Sequence, residues 1–250
     1  MSVEGQGREV SRLYIAPSST RFGLENLMNA LLMQADDVLR AASVAPKADM
    51  LPRPLLRLVA LSVLCDLFYG AMMGTFGGLG SERALQVVFS AVKVPLLLGV
   101  TFAVSVPSFF VLNTLFGLRD DFAASLRALA TTQAAVAVVL ASLAPFTLLW
   151  YASSSNYQSA ILFNTLMFAI ASLSGQRLLV ALYRPLIERD ARHRKLLVAW
   201  LLVFALVGIQ MAWLLRPFIG EPSSAVTFFR GGEWSNAYET LGRIVWRAMS

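Results

Sequence analysis

The sequence predicts an all-α, polytopic membrane helix bundle. About five transmembrane helices are expected, with an amphipathic helix before them and an ordered tail after them. Three observations carry that reading. Charge is scarce: 14% of the 250 residues are charged, 57% are hydrophobic and mean hydropathy is +0.63, whereas a soluble domain carries about 25% charged residues. Charge-free runs cover residues 67–81, 94–118, 128–176 and 196–215, and a helix crosses the hydrocarbon core with roughly 20 apolar residues. The runs are continuous rather than alternating, which excludes a transmembrane β-barrel.

Residues 1–54 form the amino-terminal segment, expected in the cytoplasm. Its first 20 residues lack a continuous apolar stretch, so no cleaved signal peptide is expected. Residues 23–42 place Leu24, Leu27, Met28, Leu31, Leu32, Ala35, Val38 and Leu39 at helical spacing, with a polar face opposite. Such a helix suits the inner membrane surface, the underside of the bundle or a partner. Asp36 and Asp37 make it a poor binder of anionic lipid by itself. Three prolines in "APKADMLPRP" break the helix and lead into the membrane.

The transmembrane domain covers 55–215. Its spans are predicted at about 55–79, 92–118, 124–151, 157–183 and 196–215. The run at 128–176 has 49 residues, enough for two crossings and the turn "ASSSN". Lys and Arg mark the cytoplasmic ends of spans. Lys47, Arg53 and Arg57 flank the start of span one, Arg119 and Arg127 flank the link between spans two and three, and "RPLIERDARHRK" joins spans four and five. The remaining links are poor in both, so the amino terminus is expected inside and the tail outside. The formal net charge of +6 is explained by lipid headgroups and topology rather than by nucleic acid. An excess of 18 arginines over 3 lysines, with abundant alanine, fits a GC-rich bacterial genome.

Ionisable residues inside spans are functional candidates, because a buried charge costs at least about 2.5–3.5 kcal/mol. Asp66 lies near the middle of span one. Its bland alternative is a protonated or hydrogen-bonded group that fixes packing. Lys93 stands at the entrance of span two, ahead of "VPLLLGVTFAVSVPSFFVLN". It pairs with Asp66 if it lies inside the core. The stretch 85–118, however, is about 51 Å long as a helix, more than one crossing. The economical solution leaves 81–91 as a surface helix or tilted extension and lets Lys93 snorkel to the outer headgroups.

Pro95 and Pro107 bend span two or break it in the manner of transporters. Asn113, Gln133, Asn164, Gln176 and Gln210 are expected as hydrogen-bond glue between helices, and Gly70 and Gly74 permit close helix contact. Cys65 is the only cysteine, so no disulfide and no cysteine-based metal site is expected. His193 is the only histidine and is expected as a solvated residue of the basic loop. No catalytic or nucleotide-binding signature is present. The expectation is therefore a non-enzyme without cofactor or metal.

Residues 216–250 form an aromatic-rich tail, expected in the periplasm, with a short helix near Asn236 and Glu239. Phe218, Phe228, Phe229, Trp234, Tyr238 and Trp246 suit either the membrane interface or a protein interface. This tail and the block "KVPLLLGVTFAVSVPSFFVLN" resemble a family of uncharacterised bacterial multi-pass inner-membrane proteins over residues 50–246. The five-span arrangement is also similar to Yip-type membrane proteins, which have a cytoplasmic amino terminus. Neither resemblance implies a catalytic residue or a substrate. The leading expectation is a structural or accessory subunit of a larger membrane assembly, with membrane lipids and other membrane-protein subunits as partners. A small transporter or channel using Asp66 and Lys93 is the alternative, and a membrane-organising factor the third reading.

Overall fold

A computed structural model describes residues 19–40, 53–78, 80, 83–221 and 224–229. Among these residues there are six α-helices and no strand: α1 Ser19–Arg40, α2 Arg53–Gly74, α3 Ala84–Leu115, α4 Phe122–Ser153, α5 Tyr157–Arg189 and α6 Arg192–Leu215. The last five are long and apolar enough to cross a membrane, and the protein is a multi-pass membrane protein. Their outward faces carry Leu56, Leu115, Leu162 and Leu202 in exposed positions. A surface this apolar suits hydrocarbon and not water.

The helices are arranged as a crescent. α2 packs along α3 and α4, α4 holds α5 on one flank, and α3 holds α6 on the other. α5 and α6 are joined by a turn at Asp190, yet touch little beyond it. The crescent therefore closes near that turn and opens towards the other end, between α5 and the α3–α6 pair. α1 lies against α4 and α2 at the closed end, with Val38 buried.

Small residues make these contacts possible. A Cβ on Gly70 would meet Ser90 O and Ala91 Cα, and one on Gly74 would meet Val87 Cα. The glycine pair thus serves the α2–α3 contact within the chain. Alanines on α4 at 128, 130, 134, 135, 137 and 144 are buried, so α4 forms the tightly packed spine, as small residues do between membrane helices.

Two expectations are corrected. The stretch 81–91 was expected as a surface helix or a tilted extension; it is no separate surface helix, because α3 is one uninterrupted helix of 32 residues from Ala84, about 48 Å long. Pro95 and Pro107 lie inside it without breaking it. Span one ends at Gly74 rather than 79, because Gly77 and Gly78 adopt positive φ and turn the chain. The predicted amphipathic helix is present as α1, shifted by a few residues.

Candidate functional site: a polar stripe that holds the tail

α3 carries Arg83, at its N-cap, then Gln86, Ser90 and Lys93. The spacing of three, four and three residues puts all four on one helix face. That face meets the extended segment that follows α6. Lys93 Nζ donates to Pro217 O, and Ser90 Oγ donates to Phe218 O. Gln86 Nε2 donates to the same Phe218 O at 3.2 Å and to Ser90 Oγ at 3.0 Å. Arg83 reaches Gly220 O at 2.9 Å and Glu221 O at 3.4 Å. From α5, Tyr157 Oη donates to Ile219 O at 3.3 Å. Five consecutive carbonyls, 217 to 221, each receive a side-chain donor. A segment that crosses a helix bundle without its own secondary structure needs this supply, because a buried carbonyl without a partner is costly.

Lys93 is the centre of this arrangement. It is 0% exposed, covered by the tail. Its ammonium also lies 5.0 Å from the centroid of the Phe228 ring, which packs edge-on against Phe89 at 5.3 Å and against Phe229 at 4.8 Å. The expected snorkelling Lys93 is thus corrected: protein, not headgroups, covers the charge. The expected ion pair is replaced as well, because the nearest acceptor to Lys93 is a tail carbonyl and no ion pair joins it to Asp66. Gly220 allows the close approach, since a Cβ there would meet the side chain of Gln86. Of the predicted interface aromatics, Phe218 and Phe228 are half-buried in this dock and Phe229 is 49% exposed. Trp234, Tyr238 and Trp246 lie outside the described residues, as does the predicted helix near Asn236.

Beneath the tail, Asn164 forms a hub between three helices. Its Oδ1 accepts from Tyr69 Oη of α2 at 3.1 Å. Its Nδ2 donates to Tyr151 Oη of α4 at 2.7 Å and to Ala160 O at 2.8 Å. Tyr151 passes the chain on to Met73 O at 3.3 Å. This is the cross-helix glue expected of Asn164. Asn113 differs: its Nδ2 donates only to Phe109 O within its own helix, at 3.2 Å.

Asp66 lies in the middle of α2, 2% exposed, and its Oδ1 is buried without a hydrogen-bond partner. Gln133 Nε2 on α4 is likewise buried without one. No hydrogen bond or ion pair joins Asp66, Lys93, Asn113 and Asn164 to one another.

The closed end carries a second polar cluster. Asp121 accepts from Arg189 at 2.9 Å and lies 3.2 Å from His193 Nε2. His193 is fully buried and packs edge-on against Tyr183. This corrects the expectation of a solvated histidine: α6 starts at Arg192, and its first turn points His193 inward. Asp190 accepts from the backbone and guanidinium of Arg192. That guanidinium holds the Asp190 carboxyl down at about 2, below its ordinary 3.8. Arg192 also donates to Phe116 O at 2.8 Å, tying α6 to the end of α3.

Sequence reasoning missed Arg83, Gln86 and Ser90. Their signal is the polar spacing that leads into an apolar run, which reads locally as a solvated helix end. It also missed the tyrosine hydroxyls, which are indistinguishable in sequence from interfacial tyrosines. No protein-family model, no curated protein and no solved structure matches this chain.

Proposed function

We propose that the chain is a non-catalytic structural or accessory subunit of a larger assembly in the bacterial inner membrane, with its amino terminus in the cytoplasm. The carrying observation is the use made of Lys93, the one charged side chain buried beneath the tail among the described residues: it clamps the tail to α3. Investing a buried charge in ordering an extra-bundle segment suits a protein whose tail face must hold a shape. Phe229, exposed beside the docked Phe228, gives that face an aromatic anchor of the kind favoured at interface centres. The orientation follows from the Lys and Arg bias of the links.

The test is photo-crosslinking in native membranes from position 229, followed by purification in mild detergent. A discrete protein adduct that co-purifies is the expected result. Recovery of the chain alone, with no adduct from the tail face, would overturn the reading.

A transport reading is favoured by one observation, the buried Oδ1 of Asp66 without a partner. It requires that Asp66→Asn abolish flux in reconstituted vesicles while the melting profile is kept. On the reading proposed here, that variant folds and no flux is lost.

A further inference from the structure

Where the crescent opens, a cleft of about 500 Å³ lies between α5, α3 and α6. Met73 of α2, Leu97 of α3, Phe168 of α5 and Ala212 of α6 line it. The tail residues Pro217, Phe218 and Ile219 roof it. Ile161 and Thr165 stand on its rim, both exposed on a membrane-spanning helix. The open side therefore faces hydrocarbon. We propose that this cleft holds one acyl chain of a phospholipid from the tail-side leaflet, with the lipid phosphate at Arg216.

Four features select that occupant. The first is length. The α5 wall runs from Tyr157 to Phe168, about 17 Å at the helical rise. That is about half of the roughly 30 Å hydrocarbon core, the depth that one acyl chain of a single leaflet occupies. The second is polarity. The three uncharged polar side chains that line the cleft already donate within the protein: Asn164 to Tyr151 and Ala160 O, Thr165 Oγ1 to Ile161 O at 2.9 Å and Tyr157 Oη to Ile219 O at 3.3 Å. The rest of the lining below Arg216 is apolar and rewards hydrocarbon.

The third is the cation. Arg216 lies at the roofed, water-side end, with its guanidinium carbon 3.3 Å from the centroid of the Trp213 ring. Trp and Arg together mark headgroup depth, and guanidinium suits phosphate. The fourth is direction. Pro217, Phe218 and Ile219 line the cleft beside Arg216, and the α5 wall runs on from Tyr157 to Phe168, so a chain that starts at Arg216 has that wall to follow inward.

The test is native mass spectrometry of the full chain released from nanodiscs made of equal parts phosphatidylglycerol and phosphatidylcholine. The wild type is expected to retain one phospholipid under conditions that strip the annular lipids. Ala212→Phe places a ring in the cleft and is expected to lower retention about tenfold, equivalent to about 1.4 kcal/mol. Leu97→Trp fills it from the opposite wall and is expected to do the same, so the outcome does not hang on the folding of one variant. Arg216→Gln is expected to lower retention severalfold. No retained lipid in the wild type, or equal retention in the folded cleft-filling variants, would overturn the proposal. So would a photoreactive residue at position 165 that yields a protein adduct in place of a lipid adduct.

Discussion

Replacing Lys93 with methionine keeps most of the length of the side chain and removes its charge. Pro217 O then loses its donor and Phe228 its cation. Hydrogen bonds to charged groups contribute about 1.5–3 kcal/mol, so the tail should lift about ten times more often. The reporter is Ile219→Cys in a Cys65→Ala background, because Ile219 is buried under the docked tail. Its maleimide labelling rate should rise about tenfold with Lys93→Met, and an unchanged rate would show that the tail holds without the charge. Asn164→Leu strips partners from Tyr69 and Tyr151 together. A loss of about 1–2 kcal/mol in detergent denaturation is expected, and adding Tyr69→Phe should cost little more, the non-additivity of residues in contact. Asp190 supplies a pH test. Its folded value of about 2 lies below the ordinary 3.8. The stabilisation is therefore complete above the ordinary value and is lost as pH falls towards the folded one. Between about pH 5 and about pH 2 the melting temperature should fall. Asp190→Asn should lack that component of the slope.

At the scale of elements, the α2–α3 contact depends on absent side chains. Gly70→Leu would drive a Cβ and more into Ser90 O and Ala91 Cα, and a loss of about 1–3 kcal/mol is expected from overpacking. Gly99, on the same pair of helices, has open space where a Cβ would sit. Gly99→Ala should leave stability unchanged or raise it by up to about 1 kcal/mol, by restoring helix propensity. Thermal melts of both variants in one detergent give the comparison. The spans themselves were legible, because charge-free runs of about 20 residues have few alternatives to crossing a membrane. The start of α3 was not. Gln86, Ser90 and Lys93 look like a helix end meeting water, and the tail that covers them arrives from 124 residues away in the case of Pro217. His193 failed for a related reason. Its neighbours Arg192, Arg194 and Lys195 give the stretch a solvated character, while the helix turn faces His193 alone towards Asp121. Asp66 and Asn164 were found because an ionisable or amide side chain inside an apolar run needs no distant information to be conspicuous.

For the whole molecule, the crescent places the 154–156 link and the tail at one end and the Asp190 turn at the other. Ser155 and Ala191 are both exposed. In a Cys65→Ala background, Ser155→Cys should react with an impermeant maleimide from the side that bears the tail. Ala191→Cys should react only from the opposite side. Labelling of both from one side of sealed vesicles would rule out the bundle as a membrane crossing. The same crescent leaves room for a lipid, because α5 and α6 are tied only at one end.

The bond between Lys93 and Pro217 has a consequence in time. The ribosome makes Lys93 first and Pro217 124 residues later, which at about 5–20 residues per second is a wait of roughly 6–25 seconds. Throughout that interval α3 must be inserted with an ammonium that its own neighbourhood does not neutralise. A chain truncated just after Leu215 would have all five spans and a Lys93 without its carbonyl. Membrane extraction by alkali or urea should release such a truncated chain more readily than one extended by a further ten residues.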